Sequence, residues 1–138
     1  MRKYNTTAAG EKEKTVSTWD EKIFNDEDNQ EFLDELIDLD HREIEEALED
    51  AVNIALLHAD QGSSDYRVGL CAATVAAIWA GAPFSSASTA DEHEFIRRYI
   101  GSLEPKLQEL SLQLLDRELE RGGSDAAEGL ETCVEALS

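Results

Sequence analysis

From Glu27 onward the apolar residues of this 138-residue chain recur at steps of three and four, the spacing that gathers them on one side of an α-helix. Phe32, Leu33, Leu36 and Ile37 form the first stripe and predict a helix over about Glu27 to Leu39, with Asn25 or Asp26 as a short oxygen-bearing cap. Ile44, Ala47, Leu48, Ala51, Val52 and Ala55 predict a second helix over about Arg42 to Ala59, with Gly62 in the left-handed position that ends it. A third, from Ser64 or Asp65 to Ala80, differs in kind. From Val68 it is apolar nearly all round, the pattern of a helix enclosed by others. Gly69 and the alanines at 72, 73, 76, 77 and 80 leave room for close neighbours.

Gly81 to Thr89 reads as a loop. A short helix over about Ala90 to Ile100 then carries Phe95, Ile96, Tyr99 and Ile100, and Gly101 ends it. The next runs from Ser102 or Leu103 to Glu120, with Pro105 in the first turn and a stripe of Leu103, Leu107, Leu110, Leu114, Leu115 and Leu119. After Gly122-Gly123 a last helix starts at Ser124 and uses Ala127, Leu130, Cys133, Val134 and Leu137. No segment alternates as a strand would, and nothing repeats. The expected fold is all-α: one domain over residues 18–138, a bundle of five to six helices around a central Ala-rich helix. Trp19, Ile23 and Phe24 are expected to cross the core irregularly and pin the first helix. Residues 1–17, polar and aperiodic, read as a flexible extension.

Charge changes this picture most. Between Asp20 and Asp50 there are fifteen acidic and two basic residues, a net −13 out of −19 for the whole chain. Solubility alone asks for a net charge of only about 2–8 in a small domain. Pairs such as Glu27/Glu31, Glu31/Glu35, Glu45/Glu49 and Glu46/Asp50 repel along their own helices. A pI near 4.3 argues against nucleic acid and against anionic membranes as partners. The apolar run from Val68 to Phe84 is too short and too broken by Gly81 and Pro83 to span a bilayer. The start of the chain lacks the apolar core of a secretory signal, so a cytoplasmic location is expected. Cys71 and Cys133 lie in apolar helical patterns and read as small buried hydrophobes.

Dedicated catalytic or metal-binding patterns fail one by one. An EF-hand loop from Asp26 would put Glu31 where glycine is needed and Ile37 where the bidentate acid belongs. No histidine follows a Glu by three residues, as a di-iron bundle requires; the nearest is the Asp38/His41 pair. Glu46 and Glu49 could begin the acidic motif of helical magnesium-dependent pyrophosphatases, but its second half is missing. There is no nucleophile elbow, no phosphate-binding glycine loop and no basic neighbour to activate Cys71. His58 reads as a hydrogen-bonded boundary residue, and Arg97-Arg98 as charge balance against the acidic helices. No catalytic residue, metal site or cofactor is assigned.

One resemblance adds to this reading. Trp19 and Phe24 stand five residues apart, Asn25-Asp26-Glu27-Asp28 form an acidic cluster, and Glu31-Phe32-Leu33 close the segment. This resembles the opening of an uncharacterised family of small, acidic, mostly bacterial proteins, and Cys71 to Gly81 is similar to that family's central helix. Asp20 and Lys22 replace glycines of the pattern, and Thr74 stands where an acid is common. The resemblance implies a helical fold, gives Trp19, Phe24, Asn25, Asp26, Phe32 and Leu33 a structural part, and transfers no activity.

The leading expectation is therefore a non-enzymatic acidic binding protein. Asp34, Glu35, Asp38, Glu45, Glu46, Glu49 and Asp50 would engage a basic protein partner, in the manner of an inhibitor, an immunity protein or a nucleic-acid mimic. Two alternatives stand beside it: a metal-dependent hydrolase assembled from carboxylates of several helices, and a helical homodimer whose charge has no binding role.

Overall fold

A computed structural model describes residues 18–57, 60, 62–122 and 128–138. The expected N-terminal extension, His58 and the Ser124 helix start lie outside them. The described residues form eight helices and no strand: α1 Trp19–Phe24, α2 Glu27–Leu36, α3 His41–Leu57, α4 Ser64–Trp79, α5 Ala87–Glu92, α6 Phe95–Arg98, α7 Pro105–Gly122 and α8 Leu130–Leu137. They make one compact all-helical domain.

The helix ends follow from local chemistry. Asp26 caps α2, accepting from the N–H groups of Asp28 and Asn29. Asp40 and Glu43 cap α3 reciprocally, each side chain accepting from the other's backbone N–H. Ser63 caps α4. At the far end of α4, Gly81 adopts φ 113°, its N–H donates to the Ile78 carbonyl, and the Ala82 N–H donates to Ala77. Those two bonds make the six-residue helix stop in which only glycine is unstrained.

Five expectations need correction. Trp19 to Phe24 is a helix, not an irregular crossing, with the Thr18 N–H held by Glu21 at its start. Gly62 does not take the left-handed conformation, because the turn there is closed by Asp60 and Ser63 instead. α2 ends at Leu36, so Ile37 leaves the stripe and is 50% exposed. The single helix expected over Ala90–Ile100 is two, broken at His93. There φ −129° and ψ 78° leave the helical region while the ring turns inward. The last helix does not run unbroken into Leu130: among the described residues it is Leu130–Leu137, with a break at Gly129 before it. Gly129 is left-handed at φ 101°, and the Glu128 carbonyl accepts from the Trp19 N–H at 2.7 Å, tying the last segment to α1. The break at His93 and the early α1 bring the helices among the described residues to eight, above the five or six expected.

Every residue of α4 from Gly69 to Trp79 is buried, and α1, α2, α3, α6, α7 and α8 all pack against it. Its closest neighbour is α3. A Cβ placed on Gly69 would lie 2.2 Å from Ala55 Cβ and 2.9 Å from the Ala51 carbonyl oxygen. No side chain fits there unless the helices separate. Gly69→Ala should therefore destabilise the fold by about 1–3 kcal/mol, in spite of alanine's better helix propensity. Urea unfolding checks this. Adding Ala55→Gly should recover only part of the loss, because the contact with the Ala51 carbonyl remains.

Candidate functional site

The acids of the first two long helices do not form one uniform sheet of charge. Asp20, the first acid of the stretch from Asp20 to Asp50, is 6% exposed. Its carboxylate accepts from the backbone N–H groups of Ser85 and Ser86 at 2.9 Å each, from Ser86 Oγ at 2.7 Å and from Thr18 Oγ1 at 3.0 Å. It is a buried anchor for the loop after α4. Asp26 and Asp40 are spent as caps.

The seven expected partner-binding residues divide. Glu35, Asp38, Glu46 and Asp50 are exposed. Asp34 is exposed too, but Oδ1 lies 2.7 Å from Nε2 of the buried His93, whose other nitrogen meets the Thr89 carbonyl at 2.8 Å. Glu49 pairs with Lys106 at 3.1 Å, and Glu45 stands 3.5 Å from His41. Burial holds the Glu45 carboxyl above the usual range; His41 and Arg42 oppose this, while Glu104 and Glu49 push the same way. These last two acids thus face the start of α7 more than open water. Arg97 and Arg98 pair with Asp91 and Glu94 of their own segment, not with the acidic helices as expected.

Between α2 and α3 runs a shallow apolar groove of about 210 Å³. Phe32, Ala47, Ala51, Ile54 and Val68 line it, and Asp50 and Asp65 stand at its edge. Ile54 is 43% exposed and Leu57, one turn on, 70%. Phe32 was expected in the apolar stripe of α2, and Ile54 and Leu57 lie off the stripe expected for α3. Their exposure was readable only from their offset to the α3 stripe.

A second, larger cleft of about 450 Å³ lies between α1, α2, α4 and α7. Lys22, Asp26, Asn29, Arg67, Glu118 and Arg121 give it both signs of charge, against an apolar wall of Trp19, Ile23 and Leu70. Arg67 bonds Asp28 Oδ2 at 2.8 Å, and its Nε lies 3.0 Å from Asp26 Oδ2 but off the hydrogen-bond direction, so that contact is Coulombic. Tyr66 Oη donates to Glu118 Oε1 at 2.8 Å, and Arg121 donates to both. Burial and the bond to Glu118 push the Tyr66 phenol up, with Arg121 opposing. Burial works against the Arg121 charge, but Tyr66 and Glu118 outweigh it and raise its pKa. Asn29 is fully buried; Nδ2 donates to the Ile23 carbonyl at 2.8 Å, which fixes the amide's orientation and leaves Oδ1 without a partner among the described residues.

The residues on which the resemblance rested hold α1 and α2 in place. The Trp19 indole donates to Thr74 Oγ1 at 2.9 Å; Phe24 and Leu33 are buried in the core, and Asp26 caps α2. A family model matches residues 17–131, the whole stretch from α1 into α8. The chain belongs to that family, described as Domain of unknown function (DUF4259). No curated protein and no solved structure matches it.

Among the described residues no three His, Cys, Asp or Glu side chains converge as a metal site would need, and no helix is long and apolar enough to cross a membrane. Both cysteines are buried and unlinked, and burial pushes both thiols well up, away from the reactive thiolate.

Two predictions follow from the placement of the acids. Asp20→Ala strands two backbone donors and should cost about 2–4 kcal/mol, with faster amide exchange at Ser85 and Ser86. Glu45, with its folded pKa raised, favours the fold least when charged, so its contribution is lost as pH rises through that pKa. Glu45→Gln should gain stability relative to the parent between about pH 3 and pH 7, read from paired urea titrations.

Proposed function

We propose that this protein is a non-enzymatic binding protein whose α2–α3 face engages a basic protein partner, as an inhibitor, an immunity protein or a nucleic-acid mimic would. The reading includes action in the cytoplasm, with α4 as the central Ala-rich post that holds the face rigid. One observation carries it: an apolar groove with the exposed Ile54 in its lining lies between two helices whose exposed residues include Glu31, Glu35, Glu46 and Asp50, with the exposed Asp38 in the turn that joins them. Charge alone would need no groove, and a groove alone no such charge. Together they suit a cationic amphipathic helix that sets one apolar side chain against Phe32 and Ile54 while its lysines or arginines meet the carboxylates. Carboxylates at the rim steer the encounter, and the apolar contact slows release.

A helical peptide of lysine and leucine tests this against a lysine-only peptide of equal charge, by fluorescence anisotropy. The amphipathic peptide should bind tighter, and both should weaken at least about tenfold when salt is raised to about 0.5 M. Glu35→Lys, Glu46→Lys and Asp50→Lys together should weaken binding at least about tenfold more than reversal of the exposed Glu92, Asp116 and Glu120. Ile54→Ser should affect only the amphipathic peptide. Equal losses from the two sets of reversals would refute a dedicated face.

A further inference from the structure

We infer that the cleft between α1, α2, α4 and α7 is a binding site for a short peptide or amino-acid-like zwitterion. It is a different site from the acidic face and does not depend on that reading. Its volume, about 450 Å³, falls in the ~300–1,000 Å³ range of small-molecule sites. What singles it out is the kind and arrangement of its polar groups. Lys22 projects from α1 on one wall, and Glu118 stands on α7 on the other. Glu118 is fixed by Tyr66 and Arg121, so its orientation is set before anything binds. Trp19, Ile23 and Leu70 supply an apolar wall between those charges.

The buried Asn29 is the second, independent pointer. Its amide is oriented by the Ile23 carbonyl, so the atom left over is an acceptor, Oδ1, and an acceptor calls for an N–H. A dipeptide meets each demand in turn. Its carboxylate lies toward Lys22, its ammonium toward Glu118, its amide N–H toward Asn29 Oδ1, and its side chain against Trp19 and Leu70. Oδ1 is closed off from water, so the ligand's N–H reaches it through a small outward shift of the cleft wall. A plain anion such as phosphate would meet Lys22 but bring no ammonium to Glu118 and no N–H to Asn29 Oδ1.

Glycyl-leucine, its N-acetyl form, its C-terminal amide and inorganic phosphate are the probes, followed in two-dimensional NMR spectra of the whole chain. The Trp19 indole N–H reports on the cleft. The Trp79 indole N–H, bonded to the Phe95 and Ile96 carbonyls, serves as the internal control. Glycyl-leucine should shift the Trp19 signal saturably with a Kd below about 1 mM and leave Trp79 in place. Blocking either end should weaken binding at least about fivefold. Lys22→Ala should weaken the free dipeptide but not its amide, and Glu118→Gln the free dipeptide but not its N-acetyl form. Both variants should keep the parent melting temperature within a few degrees, and Lys22, being exposed, keeps the test valid if Glu118→Gln does not. Equal shifts at both indoles, phosphate binding as tightly as the dipeptide, or Lys22→Ala binding free dipeptide and amide as the parent does would overturn the assignment.

Discussion

The approach of α3 to α4 is the constraint on which the rest of the molecule is built. Two helix backbones come this close only where side chains are nearly absent, and Gly69 against Ala51 and Ala55 provides that. With α4 buried from Gly69 to Trp79, each other long helix takes a place on its surface. α2 and α3 flank it with a groove between them, and α7 packs against both α3 and α4.

Acidic residues in this protein do four separate jobs, and composition counts them all alike. Asp26 and Asp40 satisfy helix starts, Asp20 accepts from an otherwise unpaired loop, and Glu118 holds Tyr66 and Arg121. Glu49 pairs across to Lys106, and Asp34 meets the buried His93. Between Asp20 and Asp50 the carboxylates left over are mostly exposed ones on α2, α3 and the turn between them, so the exposed charge of that stretch is smaller than its net −13 suggests. The like-charge repulsion that destabilises those helices locally is borne by their packing on α4.

The all-helical class, the stripes of α3, α4 and α7, and the Asp26 cap were legible because each is a local pattern. A stripe of apolar residues at helical spacing needs no knowledge of what it packs on. Failures came where a distant partner decides a local outcome. His93 breaks a helix to reach Asp34, 59 residues away, and the left-handed Gly129 follows the Glu128 carbonyl that accepts from Trp19. Asp20 is acidic in an acidic stretch, so nothing in its neighbourhood separates it from the surface acids; only the Ser85–Ser86 turn does, 65 residues on. The cleft was invisible for the same reason. Lys22, Asn29, Tyr66 and Glu118 each look ordinary in sequence, and their convergence is a tertiary fact.

The two sites share a support and yet present separate surfaces. Asp65 and Val68 of α4 lie at the groove, whereas Tyr66, Arg67 and Leu70 line the cleft. At 3.6 residues per turn those two sets point in roughly opposite directions from the same short stretch of helix. α2 offers Phe32 to one and Asn29 to the other from neighbouring positions, three residues apart on one side of the helix. Charged rims can therefore be altered at one site without touching a side chain of the other, which separates their effects experimentally. The stretch that carries both is the first turns of α4, where Gly69 meets α3. A change in how closely those helices pack would move both sites together, whereas changes in rim charge act on each alone.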